Sequence, residues 1–273
     1  MHNTGRGVVF RRALRDWRGG ILGWGVGFAA LAAMVGTFYP LINTLEGLNE
    51  VVMRMLENPL IRAFAGDVED MTSAEGFLAT KFFTTAPLIL AIYMVTLGLS
   101  IVAGEEERGT LDILLSTPVP RWRVVVEKFA ALGVAALAVL GMCYLGLVGI
   151  RAVTPELQVV SPWRLAEGVL SMLPALLLMA ALTLLLSTVL RSRAMAGGVA
   201  AGIIVGSYFV STLASLAPEV LGALSRASLF SYYRPQEVLR HGMAWGDFVL
   251  LSAVAALFFG LGVVFFQRRD VLG

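Results

Sequence analysis

The sequence predicts an all-α integral membrane protein with six transmembrane helices, and three observations support this fold class. First, 58% of the 273 residues are hydrophobic and only 15% are charged, with a mean hydropathy of +0.80, whereas soluble domains carry about 25% charged residues. Second, six apolar runs have the length of about 20 residues that a helix needs to cross a hydrocarbon core of ~30 Å. Third, none of these runs contains Asp, Glu, Lys, Arg or His.

The six runs define a simple domain organisation. We expect a cytoplasmic amphipathic N-terminal helix at 1–19, a transmembrane domain at 20–267 and a cytoplasmic tail at 268–273. The expected spans are residues 20–42, 82–103, 130–150, 168–190, 196–217 and 248–267. An even number of spans places both termini on one side of the membrane.

The distribution of basic residues predicts which side that is. Of the 21 Lys and Arg residues, thirteen lie in the segments that share a side with the termini, and eight lie in the opposite loops. Because positive charge accumulates in cytoplasmic segments, we expect both termini and the loop between spans two and three to be cytoplasmic. The predicted location is the cell membrane, with the chain embedded in the lipid bilayer as a multi-pass protein.

The N-terminal segment has the pattern of an amphipathic helix. Apolar residues from Val9 to Trp17 recur at helical spacing, and Arg11, Arg12 and Arg15 lie on the opposite face. This pattern predicts an elbow helix lying in the cytoplasmic interface, with its arginines towards anionic headgroups. The alternative is a positively charged flank that only sets the topology.

The chain lacks the residue patterns of an enzyme. Its only lysines, Lys81 and Lys128, do not follow a glycine-rich loop, so no P-loop for ATP is present. The two histidines, His2 and His241, are far apart, and no metal-ligand cluster or nucleophile–base pair is evident. We therefore predict no catalytic residues, no bound metal or cofactor, and no nucleic-acid partner.

The absence of charge within the spans bears on the energy source for transport. Carriers driven by proton or sodium gradients use ionisable or coordinating groups at membrane depth, whereas the six spans contain no charged residue and their polar side chains are mainly hydroxyls. An energy source outside the membrane is favoured. Two alternatives remain: an ATP-independent secondary carrier, and a membrane scaffold or sensor that recruits a cytoplasmic partner.

The charged stretch 104–129, between spans two and three, contains a predicted short helix. Leu111, Leu114 and Leu115 have the i, i+3, i+4 spacing of one helical face. Thr110 can cap this helix, and Pro118 limits its continuation. Leucines on a solvated loop are typical of a surface that is buried against a partner. The alternative is packing beneath the ends of the chain's own helices.

This stretch resembles the signature of type-2 ATP-binding-cassette (ABC-2 type) exporter permeases. In that family a Glu precedes Gly-Thr-Leu-Glu at the end of the second span, and Leu-Leu, Pro, Arg and a Lys that opens the third span follow. The matching positions are Glu107, Gly109, Thr110, Leu111, Leu114, Leu115, Pro118, Arg121 and Lys128. Asp112 stands where the family has Glu.

The resemblance implies a function and a set of partners. It implies that 109–121 includes a coupling helix, which docks on a separate ATP-binding-cassette ATPase subunit that would hold ATP and Mg²⁺. It further implies a second permease copy or a paralogue, and an exporter whose unidentified substrate is hydrophobic or amphiphilic, drug- or lipid-like. Near this helix, Glu105, Glu106 and Glu107 are expected to pair with Arg11, Arg12 or Arg15 of the elbow helix.

Two rows of glycine at four-residue spacing lie within the predicted spans. One row is Gly19, Gly23 and Gly27; the other is Gly198, Gly202 and Gly206. Such rows let helices approach closely. For the second row, ordinary packing within the chain and a dimer interface with another permease subunit are both open.

Overall fold

The computed structural model describes residues 7–44, 73–102, 120–190, 192–214 and 218–268. Its α-helices are α1 (Val8–Thr44), α2 (Ala74–Leu78), α3 (Ala86–Ile101), α4 (Arg121–Val153), α5 (Pro162–Val189), α6 (Arg193–Leu213), α7 (Pro218–Ser225), α8 (Pro235–His241) and α9 (Trp245–Arg268). A π-helix, Ala79–Phe83, joins α2 to α3, and a 3₁₀-helix, Pro155–Val159, lies between α4 and α5. The described residues form no strand.

Six helical segments are long and apolar enough to cross a membrane, so the predicted fold class is confirmed. They are Val8–Leu41, Ala74–Ile101, Arg121–Val153, Pro162–Val189, Arg193–Leu213 and Trp245–Arg268. Each contains or largely overlaps one of the six predicted spans. Several helices extend beyond the apolar runs because their polar first or last turns continue the same backbone hydrogen bonding.

Helix α5 lies at the centre of the bundle. It packs against α3, α4, α6 and α9, and its side chains are buried along most of its length, including Met172, Met179 and Leu184. Helix α1 packs mainly along α4 at one side. Helices α6 and α9 each bury only a few side chains and present broad apolar faces outwards, as expected of helices that contact lipid or another subunit.

The N-terminal amphipathic segment and the first span belong to one continuous helix. Helix α1 has 37 residues, which at 1.5 Å per residue is about 55 Å. That length exceeds a hydrocarbon core of ~30 Å, so the arginine-rich first turns extend beyond it. No break separates 8–19 from the span, and a distinct elbow helix lying in the interface stays a prediction.

The segment between α6 and α9 is folded onto the bundle through short helices. Phe230, Tyr233, Val238 and Leu239 are all buried. The hydroxyl of Tyr233 donates a hydrogen bond to the carbonyl oxygen of Phe83, at 2.9 Å. This segment therefore covers the π-helix at the end of the bundle opposite the N-terminus.

Candidate coupling region at the predicted cytoplasmic end

Most residues of the predicted coupling helix lie outside the described part of the chain. These are Gly109, Thr110, Leu111, Asp112, Leu114, Leu115 and Pro118, and the same holds for Glu105, Glu106 and Glu107. Arg121 and the residues that anchor both ends of the segment are described. The coupling helix itself and its contacts with the N-terminal arginines therefore stay predictions.

The motif lies between the end of α3 and the start of α4, and α4 begins after the prolines of the motif. Helix α3 ends at Ile101. Helix α4 begins at Arg121, and Pro120 precedes it in an extended conformation, with φ −63° and ψ 138°. The fixed φ of proline suits a helix start, so the chain re-enters the bundle at a defined point.

Lys128 holds the end of α3 against the start of α4. Its side chain is 5% exposed, and its ammonium nitrogen donates a hydrogen bond to the carbonyl oxygen of Ile101, at 3.2 Å. This carbonyl belongs to the last turn of α3, where the helix dipole is negative and carbonyls lack intrahelical partners. A buried lysine at this position therefore stabilises the C-terminus of the second span.

The neighbouring Glu127 contacts the opposite kind of helix end. Its Oε1 accepts a hydrogen bond from the backbone N–H of Gly7, and its Oε2 accepts one from the N–H of Phe10, both at 3.2 Å. Arg123 donates a third hydrogen bond, from Nε to Oε1 at 2.9 Å. The carboxylate thus caps the N-terminus of α1, where the helix dipole is positive.

Glu127 was not identified from the sequence as a functional residue. The sequence predicts contacts of glutamates 105–107 with Arg11, Arg12 and Arg15. These arginines have exposed side chains on the first turns of α1. The available signal was local: Glu127 lies next to the motif lysine and four residues after Arg123. That signal indicates an ion pair within α4, but not the contact of the carboxylate with α1.

The hydroxyl groups of the bundle mostly bond to their own helices. Thr96 donates to the carbonyl of Ile92 at 2.8 Å, and Thr183 to that of Met179 at 2.7 Å. Ser100, Ser187 and Thr188 bond back in the same way. Among the described residues, no group of three or more His, Cys, Asp and Glu side chains could hold a metal ion.

The two predicted glycine rows do not mediate helix packing within the described chain. A Cβ added at Gly198, Gly202 or Gly206 would meet nothing within 4 Å, and the same holds for Gly19, Gly23 and Gly27. Among the described residues, nothing therefore packs closely against either row, and packing within the chain stays a prediction for the second row. The role of the second row in a dimer interface stays a prediction.

Other glycines provide the close helix contacts instead. A Cβ at Gly146 would lie 2.6 Å from both the Cα and the carbonyl oxygen of Ala29, so α4 and α1 meet backbone to backbone there. A Cβ at Gly98 would lie 2.9 Å from the carbonyl oxygen of Ala180, where α3 meets α5. Neither glycine belongs to a four-residue row, so the spacing did not identify them.

The end of the bundle opposite the N-terminus is fastened by polar contacts. Arg234 donates hydrogen bonds to Asp247 at 2.6 and 3.0 Å and to Glu237 at 2.8 Å. Hydrogen bonding to Asp247 raises the pKa of Arg234 above its ordinary value, outweighing partial burial. Burial raises the pKa of the Tyr233 phenol well above its ordinary value.

Comparison with known proteins agrees with this architecture. None of the curated proteins matches the chain significantly. The family model described as "ABC-2 family transporter protein" matches residues 10–271, which include five of the six apolar helices and all but the first two residues of α1, the motif between α3 and α4, and both Glu127 and Lys128. The chain therefore belongs to the ABC-2 transporter family and is a membrane-spanning permease of that family.

Proposed function

We propose that the protein is the permease subunit of an ATP-binding-cassette exporter and that a separate ATPase subunit powers it. The observation that carries this proposal is the family match across residues 10–271, together with the leucine-faced motif between α3 and α4. The permease itself has no enzymatic activity in this scheme. ATP and Mg²⁺ bind to the ATPase subunit.

The proposed docking element is the segment 110–115. Leu111, Leu114 and Leu115 form the apolar face that the ATPase covers, and Arg121 lies at the start of the helix that receives the movement. Closure of two ATPase subunits on ATP pushes this segment and changes the arrangement of the spans. Because the described residues contain six candidate spans, we propose that a second copy or a paralogue completes the transport path.

The outward surfaces of the spans support a proposal for the class of substrate. Thr183 and Ser187 are buried within the bundle, and the exposed Thr96 bonds to its own helix carbonyl, so the outward surfaces of the spans are predominantly apolar. We propose that the substrate is hydrophobic or amphiphilic and leaves the cytoplasm across the cell membrane. In the proposed topology both termini are cytoplasmic, which agrees with the excess of basic residues in the segments on the side of the termini.

The proposal is tested by co-purification with a P-loop protein encoded by an adjacent reading frame. We expect a stable complex with vanadate-sensitive ATP hydrolysis, and we expect the double variant Leu111→Asp/Leu114→Asp to lose both. The matched control is Ile113→Asp, because at 100° per residue position 113 lies opposite the leucine face. Retention of the complex and its ATPase activity in the double variant would refute docking through this face.

The same preparation separates the two other classes of function. Substrate uptake into vesicles that requires an ion gradient and no ATP would indicate a secondary carrier. A bound partner that lacks P-loop motifs would indicate a scaffold or sensor.

A further inference from the structure

Among the described residues, which begin at Gly7, the start of α1 offers no side-chain cap from its own segment. Gly7, which precedes the helix, has no side chain and adopts a left-handed φ of +81°. The first turn of α1 contains no acidic residue. The first N–H groups of a helix have no intrahelical acceptors, so a group from another helix can satisfy them.

Glu127 of α4 supplies that group with both carboxylate oxygens. Oε1 accepts from the N–H of Gly7 and Oε2 from the N–H of Phe10, each at 3.2 Å. These are the N-cap and N3 positions, the same two donors that a capping box satisfies within a single helix. Here the acceptor comes from a helix that lies about 120 residues later in the chain, so the cap is also a link between two helices.

The carboxylate is held in place and is largely shielded. Its side chain is 14% exposed, and the Nε of Arg123 lies 2.9 Å from Oε1. Lys128, the next residue, binds the carbonyl oxygen of Ile101 at 3.2 Å. Adjacent residues of α4 therefore bind the positive end of α1 and the negative end of α3, each with the complementary charge.

We propose that Glu127 is a positioning residue that makes the N-terminal turns of α1, which lie beyond the close contact of Gly146 with Ala29, move together with α4 when the segment 110–115 is displaced. This inference rests on the proposed function. Helix α4 begins at Arg121, six residues after the segment 110–115 in the sequence, so in the proposed mechanism a displacement of that segment is passed along the chain to α4. Glu127 then transmits the displacement to α1, because its carboxylate is hydrogen-bonded to two amides of that helix.

The first measurement tests the cap in the permease alone, in lipid nanodiscs. Glu127→Gln removes the charge and one acceptor at nearly constant size. We expect hydrogen exchange of the first-turn amides of α1 to become about fivefold faster, as for loss of an N-cap. The control is Glu156→Gln, which alters an exposed glutamate in the 3₁₀-helix at the other end of the bundle. Unchanged exchange in Glu127→Gln would overturn the capping role.

The second measurement tests transmission in the permease–ATPase complex. Two spin labels report the separation of α1 and α4. One is attached at Asp16→Cys on α1 and the other at Trp122→Cys on α4, and both positions are exposed. The native cysteine is removed by Cys143→Ala. With Glu127 present, we expect the same separation in the nucleotide-free and vanadate-trapped states. With Glu127→Gln, we expect the separation to change on trapping. A loss of stability alone would not produce this nucleotide-dependent difference.

A second variant removes the hydrogen bond from the other side and leaves Glu127 intact. Phe10→Pro lacks the N–H that Oε2 accepts, and proline is tolerated in the first turn of a helix. Val9→Pro is the matched control, because the carboxylate hydrogen bonds are made to residues 7 and 10. We expect Phe10→Pro, and not Val9→Pro, to reproduce the effect of Glu127→Gln on the label separation.

The outcomes distinguish this inference from the proposed function. Two results overturn the positioning role even when the ATPase complex is intact. One is a label separation that changes on vanadate trapping with Glu127 present. The other is a label separation that stays constant on trapping in Glu127→Gln. If no ATPase subunit binds, the proposed function and the transmission role both fail. The exchange measurement on the permease alone then still decides whether Glu127 caps α1.

Discussion

The ammonium nitrogen of Lys128 lies 3.2 Å from the carbonyl oxygen of Ile101 and donates a hydrogen bond to it. This contact joins the last turn of α3 to the second turn of α4, and so holds together the two ends of the segment that carries the family motif. The lysine is nearly fully buried. A buried ammonium group needs hydrogen-bond acceptors, and the end of a helix provides them.

We expect Lys128→Met to destabilise the permease by about 2 kcal/mol, because a hydrogen bond from a charged group to a buried carbonyl is lost. The measurement is thermal unfolding of the purified protein in detergent. The control is Lys81→Met, which changes the other lysine of the chain, an exposed residue of the π-helix. Equal melting temperatures for the two variants would contradict the role assigned to Lys128.

The fold class could be predicted from the sequence because membrane insertion depends on composition and length. Six uncharged runs of about 20 residues leave few alternatives, since every backbone polar group in the bilayer must be satisfied within a helix.

The contacts between helices could not be predicted from the same patterns. Glycine spacing pointed to Gly198, Gly202 and Gly206, but the close approaches occur at Gly146 and Gly98. Spacing identifies a helix face, whereas packing depends on which helix lies opposite that face. Glu127 was missed for the same reason, because its partners Gly7 and Phe10 are distant in sequence.

The contact between Gly146 and Ala29 predicts a steric effect. Gly146→Ala places a methyl group 2.6 Å from backbone atoms of Ala29, so α1 and α4 must separate. Overpacking of this kind costs about 1–3 kcal/mol, measured as a lower melting temperature. Gly149→Ala on the same helix is the control, because its added methyl group meets nothing within 4 Å. A similar melting temperature for both variants would argue against close packing of the two helices.

The hydrogen bond from Tyr233 to Phe83 predicts a role for a single hydroxyl. Tyr233→Phe removes a donor to the carbonyl oxygen at the end of the π-helix. We expect a loss of about 1 kcal/mol, typical of interhelical hydrogen bonds in membrane proteins, measured by thermal unfolding. Tyr232→Phe removes an exposed hydrogen bond to the carbonyl of Arg226 and should cost less. The reverse order would count against the importance of the π-helix contact.

The exposed glycine row of α6 predicts an effect on association and not on the fold of the subunit. Gly202→Leu adds a side chain where nothing lies within 4 Å, so the melting temperature of the isolated permease should stay the same. Association with a second permease subunit, measured by mass photometry in nanodiscs, should weaken. Gly149→Leu is the control on α4. Unaltered association in Gly202→Leu would exclude this row from the dimer interface.

The central claim is that the leucine face of 110–115 binds an ATPase subunit. Its most direct test is site-specific photo-crosslinking in cells, with a photoreactive amino acid at position 114 or at position 113. If the claim is right, the residue at position 114 forms a covalent adduct with a P-loop protein, and the residue at position 113 forms little or none. Absence of the adduct at position 114, or equal adducts at both positions, would contradict it.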